Sequence, residues 1–297
     1  RPDATTSRCS TSSRETAPPC WKRSVLAGCK NERVIEETMI RSLHLQSMRN
    51  EDLHGGHDEH ALFQASTVSA LLDGAYDGDL TFADLASQGD TGLGTLNGLD
   101  GEMIAVDGQF LRCDVNGDVT EVMPNAYTPF AVVCWFEAES SLEIKGPAGL
   151  GALTGVLDTE MKSELPVAAF RIDGHFRSVT ARSVPGQKAP YRGLVEVLED
   201  QNVFEIPETD GTVIGFRFPI YSEGIEVAGY HLHFVDADRL RGGHVLDLEI
   251  ESGNVKACFS DDLHVELPPG LDLASPDLAD STHEAIQRAE NSKGSDS

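Results

Sequence analysis

The sequence predicts a β-rich α+β fold, with mixed and antiparallel sheets in two closely packed halves and few short helices. Three observations carry this expectation. Beyond residue 90, short runs alternate apolar and polar residues between glycine- and proline-containing turns, the period-two pattern of half-buried strands. Long helical patterns are scarce over the same stretch. The chain has 297 residues, 40% hydrophobic and 24% charged, which is enough to bury a large core in an ordinary globular composition.

Residues 1–60 read as an N-terminal extension, disordered or extraneous to the fold, rich in Ser, Thr, Arg and Cys. One short helix is expected over 34–48, and Met39 or Met48 is a natural start. "HGGHDEH" gathers His54, His57 and His60, where glycines and charges suggest a linker that takes up metal only adventitiously. The domain proper is expected over 61–297. "ALFQASTVSALLDGAYDG" repeats apolar residues at helical spacing before a glycine break, and "LTFADLASQGD" is a second short helix. "VNGDV" offers Asp114, Asn116 and Asp118 to calcium but lacks the closing glutamate, so a hairpin turn at Asn116-Gly117 is expected. "AVVCWF", "AAFRIDGHFRSVTARSV", "LVEVLE", "GTVIGFRFPIY", "VAGYHLHFVD" and "HVLDLEIESGNVKACF" follow as strands. "STHEAIQRAEN" is a last short helix.

Charge and cysteines narrow the function classes. Residues 1–48 carry eight Lys/Arg and five Asp/Glu, about +3, so the remaining body carries −29 of the total −26. Such a body repels nucleic acid and anionic membranes. No apolar run approaches the roughly 20 residues of a membrane span, and the opening residues lack a secretory signal's apolar core, so a soluble cytoplasmic protein is expected. Cys9, Cys20 and Cys29 lie in the extension. Cys113, Cys134 and Cys258 stand isolated among apolar residues, without a CxxC pair, and read as buried free thiols.

"GYHLHFVDADRLRGGHVLDLEI" carries the strongest chemical pattern. His231 and His233, at i and i+2, share one face of a strand, with Cα atoms about 6.6–6.8 Å apart. "DADRLRGG" turns the chain, and His244 returns beside them across an antiparallel ladder. Three imidazoles leave coordination positions open for water or substrate, as a catalytic metal requires. The same spacing also suits a solvated strand face, and spacing alone leaves both readings open. A cupin-like oxygenase shares the HxH pattern but wants a glutamate soon after and a histidine much farther along. Here Asp236 and Asp238 stand where the glutamate would be useful and the third histidine comes early, which makes that reading weaker. "TGLGT" matches no nucleotide motif. Glu102 in "LDGEMIAVDG" is either a solvent-facing strand residue or a buried acid/base. Arg182 before a proline turn is either an exposed strand end or the grip for an anionic substrate.

Taken in order, "LFQASTVSALLDGAYDG", "GDTGLGTLNGLDGEMIAVDG", "TPFAVV", "ARSVPGQKAPYRGL", "GTVIGFRFPIY" and "AGYHLHFVDADRLRGGHVLDLEI" resemble the α-acetolactate decarboxylase family from about Leu62 to the C-terminal helix. The resemblance implies a zinc enzyme that converts 2-acetolactate to acetoin and CO2 through a metal-stabilised enediolate, as a homodimer, without an organic cofactor. It implies His231, His233 and His244 as zinc ligands, Glu102 and Arg182 as the acid/base pair, and Thr95 as a pocket hydroxyl. It also implies a C-terminal glutamate, Glu290 or its competitor Glu284, returning toward the metal. Thr91 and Leu96 depart from the phenylalanines that flank "GLGT" in the family. The rival from another class is a non-catalytic β-rich metal-binding protein.

The carboxylate density suits a salty cytoplasm, which gives a first test. The melting temperature is expected to rise as KCl is added, and a curve that stays flat would count against adaptation to salt.

Overall fold

The computed structural model describes residues 44–48, 60–161, 163 and 165–267, all within the compact unit Met39–Ser297. Among them the first nine strands are β1 (His44–Met48), β2 (Ala61–Ala65), β3 (Leu80–Thr81), β4 (Thr91–Thr95), β5 (Glu102–Val106), β6 (Gln109–Cys113), β7 (Val119–Glu121), β8 (Tyr127–Thr128) and β9 (Ala131–Cys134). The later strands are β10 (Ser140–Gly149), β11 (Val167–Ser183), β12 (Asn202–Ile206), β13 (Thr209–Phe218), β14 (Gly229–Asp236), β15 (Gly242–Ser260) and β16 (Asp262–Glu266). Four short helices accompany them: α1 (Val68–Leu72), α2 (Phe82–Ala86), α3 (Leu150–Glu160) and α4 (Leu194–Val197).

An eight-stranded sheet runs β1-β16-β2-β9-β4-β5-β6-β7. It is mixed, because β16 lies parallel to both β1 and β2 while the remaining pairs are antiparallel. A six-stranded antiparallel sheet runs β10-β15-β14-β13-β11-β12. An additional pairing of β15 with β11 joins β11, β13, β14 and β15 into a ring. The β-rich class with few helices is therefore what the chain adopts.

The two sheets pack face to face because their strands carry apolar residues on both sides. Leu62, Leu93 and Val132 of one sheet meet Ala169 and Phe216 of the other. Ile104 and Leu111 meet Ile214 and Val235 in the same way. On its other side, the six-stranded sheet buries Phe170, Phe176, Phe234 and Val255 with Leu153 and Leu157 of α3. Phe176 and Phe234 meet edge to face at 5.1 Å, the arrangement that ring quadrupoles favour.

Several local expectations hold. Helix α2 starts on a capping box, with Thr81 and Asp84 each satisfying the other's backbone N–H. The hairpin between β6 and β7 turns at Gly117, φ +80°, and the Asp114 carboxylate accepts from Asn116 N and Asp118 N. Others do not hold. "LVEVLE" is not a strand but α4 continued by a 3-10 turn, since Leu194, Val197 and Leu198 fall on one face at i, i+3 and i+4 and are buried together. Helix α3 was hidden by Gly151 and Gly155, poor helix formers within an otherwise apolar face. His44–Met48 is a strand where the spacing predicts the end of a helix; the rest of that stretch lies outside the described residues. So do Cys9, Cys20, Cys29, His54, His57 and the stretch expected as a C-terminal helix, with Glu284 and Glu290. Cys113 and Cys134 are buried free thiols, and Cys258 is half-buried.

Truncating the ring at the centre of this packing tests the energetics. Phe176→Ala is expected to lower unfolding stability by about 3–5 kcal/mol, measured by denaturant titration. The cost comes from a large cavity and a lost aromatic partner.

Candidate active site

β14 and β15 pair over only three positions: His233 opposite His244, Phe234 opposite Gly243, and Val235 opposite Gly242. Directly opposed residues project from the same face, so His233 and His244 are neighbours, and His231 joins them two residues along β14. Leu232 and Phe234 point the other way into the core. The three rings lie 5.1–5.3 Å apart, centroid to centroid. One nitrogen from each falls within 4.8 Å of the others, and all three residues are buried. The solvated-face reading of the HxH pattern is thereby excluded.

The glycines before His244 permit this approach. A Cβ on Gly242 would lie 2.6 Å from the Phe234 carbonyl oxygen and 2.8 Å from Cys113 Sγ, closer than real contacts allow. Arg182 reaches the same row through a β-bulge. Thr180 opposes Asp247, but Ala181 opposes Val245 and Arg182 opposes His244, so β15 carries one extra residue there. Without the bulge Arg182 would stand opposite Val245. Bulges commonly re-aim side chains in this way beside functional sites.

The facing sheet contributes a second row, Thr95 opposite Glu102 across β4 and β5. "TGLGT" is thus a fully buried strand rather than a loop. Thr95 Oγ1 donates to the Gly101 carbonyl at 2.7 Å, which leaves its lone pairs to accept from a ligand. Glu102 Oε2 stands 3.6 Å from His233 Nε2. Thr95, Glu102, Arg182, His231 and His244 line one cavity of about 50 Å3, closed by apolar side chains such as Phe130, Leu194 and Val227. That space is on the scale a small molecule occupies. A second cavity, of about 140 Å3 around His60, Cys134 and Cys258, contains none of these groups.

The electrostatics prepare the rings for a cation. The Met103 carbonyl can only accept, so the 2.7 Å contact with His233 Nδ1 makes that nitrogen the N–H donor. Nε2 is left as a bare lone pair, buried and without a hydrogen bond. Burial first, then His231 and Arg182 nearby, holds the His233 ring well below the usual histidine range, while the Met103 bond opposes them. A neutral ring with one tautomer is the form that ligates metal. Arg182 is only 5% exposed, and its Nε has no hydrogen-bond partner. Such an unsatisfied buried donor suits an anionic ligand.

Comparisons with known proteins bear on the family and the fold. The alpha-acetolactate decarboxylase family model matches residues 62–280. The alpha-acetolactate decarboxylase of Methylococcus capsulatus is 39% identical over 258 residues, 86% of this chain and 99% of that protein. The enzyme of the same name from Methanosarcina mazei is 42% identical over 229 residues, 77% and 80% of the two chains. The crystal structure of alpha-acetolactate decarboxylase from Bacillus subtilis strain 168 covers 78% of this chain and 100% of its own, with TM-score 0.75 and 35% identity. Fold and relatives together make the protein a decarboxylase, a carboxy-lyase. The chain belongs to the α-acetolactate decarboxylase family.

Of the residues singled out in the sequence, Thr95, Glu102, Arg182 and the three histidines come together; Glu290 lies outside the described residues. Sequence reasoning missed Glu226, wholly buried beside His231, and the apolar wall from α1 and α4. No spacing rule links Glu226 to the histidines, because it sits in the turn before β14 rather than on the strand.

The glycine geometry is directly testable. Gly242→Ala is expected to destabilise the protein by about 1–3 kcal/mol in denaturant titration through overpacking against Phe234. It should also displace His244 and lower the content of any metal ion that the three rings can hold, read by elemental analysis after gel filtration.

Proposed function

We propose that the protein converts 2-acetolactate to acetoin and CO2, with Zn2+ held by His231, His233 and His244. The observation that carries this reading is the convergence of three buried imidazoles, one with a bare Nε2, beside Glu102 and Arg182 in a cavity of small-molecule size. The rings fit the ion. Zinc–nitrogen bonds of about 2.0–2.1 Å need only small ring shifts from nitrogens already within 4.8 Å of each other. The three histidines are the metal-competent group among the described residues, and a trio of imidazoles is a donor set known from open catalytic zinc sites. The reading also includes a homodimer in the cytoplasm.

When bound, the metal supplies Lewis acidity toward the substrate's hydroxyl and ketone oxygens, where negative charge grows as CO2 departs. The chain's own residues do the rest. Arg182 binds the substrate carboxylate through its planar fork and sets the breaking carbon–carbon bond in one orientation. The electron pair of that bond passes toward the ketone. Glu102, on the facing sheet, holds or moves the proton of the substrate hydroxyl. Thr95 Oγ1 accepts from the same hydroxyl or from a water beside it. The carbon that loses CO2 then takes up one proton, delivered from the Arg182 side. Delivery to one face makes the acetoin a single enantiomer. The apolar wall excludes bulk water and strengthens each of these interactions.

Acetoin formation from racemic acetolactate is the primary test. It should vanish on chelation and return with zinc; no acetoin above the spontaneous background from zinc-loaded protein would defeat the proposal. His233→Ala should lose zinc and activity together. Arg182→Ala should keep zinc stoichiometry, while kcat/KM falls by at least about a hundredfold, the scale of losing a positioned charged group.

A further inference from the structure

Glu226 is a carboxylate with no exposed surface, and the reaction outlined above does not use it. Its Oε1 lies 3.5 Å from His231 Nδ1, within ion-pair range and a few tenths of an ångström beyond a formed hydrogen bond. A small turn of either side chain makes that bond. Glu226 does not line the cavity, whereas its neighbour Val227 does, so it does not reach a substrate. It also stands outside the trio of mutually close ligand atoms, which contains only the histidines.

The backbone holds this carboxylate in place. Gln64 Nε2 and Val68 N both donate to the Ile225 carbonyl, at 2.7 and 3.0 Å. Ser69 N donates to the Gly224 carbonyl, and Glu226 N to the Ser222 carbonyl, each at 3.1 Å. The turn before β14 is thus tied to α1 on one side and leads into the ligand strand on the other. A charge buried this completely is costly unless a cation or a donor compensates it. One donor within ion-pair range of it is His231 Nδ1, on a ring that would hold the metal.

We propose that Glu226 is a positioning residue for the metal centre: its carboxylate accepts from His231 Nδ1–H, which turns Nε2 toward the ion and strengthens the ring as a donor. The inference rests on the reading of His231, His233 and His244 as zinc ligands. It would complete a symmetry in how the two β14 rings are anchored: Met103 O accepts from Nδ1 of His233, and the Glu226 carboxylate, 3.5 Å away, would accept from Nδ1 of His231. The two anchors differ in charge. A neutral carbonyl fixes only the tautomer, whereas a carboxylate also offsets the charge of the ion.

The experiment uses the full chain stripped of metal and titrated with Zn2+ in competition with a chromogenic chelator. Glu226→Gln, which keeps an acceptor but removes the charge, should weaken zinc binding about tenfold, and Glu226→Leu about a hundredfold, the range of losses when such outer carboxylates are removed. The melting temperature of metal-free Glu226→Gln should stay close to that of the parent, which separates positioning from a general structural role. Cobalt(II)-substituted Glu226→Gln should keep the parent's d–d band intensity, because no ligand is lost. Unchanged zinc affinity in Glu226→Gln overturns the proposal, and that variant alone decides if Glu226→Leu does not fold. A changed cobalt spectrum also overturns it, by making Glu226 a ligand. His233→Ala serves as the control. Zinc bound as tightly there as in the parent sinks the three-histidine reading and this proposal with it; loss of zinc there with unchanged Glu226→Gln sinks this proposal alone.

Discussion

The site depends on one constraint, the register in which β14 meets β15. Three residue pairs define it, and the first sets His233 opposite His244. A slip of one residue would turn both histidines and Phe234 to the opposite faces, exchanging a buried polar cluster for a buried ring. The apolar residues resist that slip. Leu232 and Phe234 are anchored in the core on the far side of the strand, and Phe234 packs on Phe176. The site geometry is therefore maintained by hydrophobic packing that never touches the site.

From that register the remaining groups follow as two facing rows. One row runs Arg182, His244, His233 across β11, β15 and β14. The other runs Thr95, Glu102 across β4 and β5. The Met103 carbonyl bridges the rows by fixing His233. Each row is rigid within its sheet, and the sheets are held face to face by apolar clusters. Preorganisation of this kind costs no reorganisation at the moment of reaction, which is what makes buried dipoles and charges effective.

The interior tolerates these polar groups only because they balance one another. Two carboxylates, Glu102 and Glu226, lie near an arginine and three imidazoles. In a medium of low dielectric, any one of them alone would be expensive to bury. Burial keeps His233 neutral, and a neutral ring with a bare nitrogen calls for a cation. The strongly acidic body provides no general attraction for an anionic substrate. Arg182 supplies a local positive charge inside the cavity, where solvent ions do not screen it.

The sequence by itself determined the class of fold, the hairpin that carries the histidines, the short helix α2 and the turn at Gly117. These are matters of period, spacing and local hydrogen bonding, which a chain states in its own order. It also presented Glu102 and Arg182 as candidates, but left each poised between a solvent-facing residue and a buried one, and Thr95 entered only through the family resemblance. Only the tertiary structure decided those cases, because burial depends on what a second sheet covers. The bulge that brings Arg182 opposite His244 has no local signature, since it exists only in the pairing of two distant strands. α4 was misread as a strand because its apolar residues suit either period until the cavity cluster selects one face. Glu226 was invisible for the same reason: its partner ring lies on the next strand, and a turn held by α1 sets the distance between them.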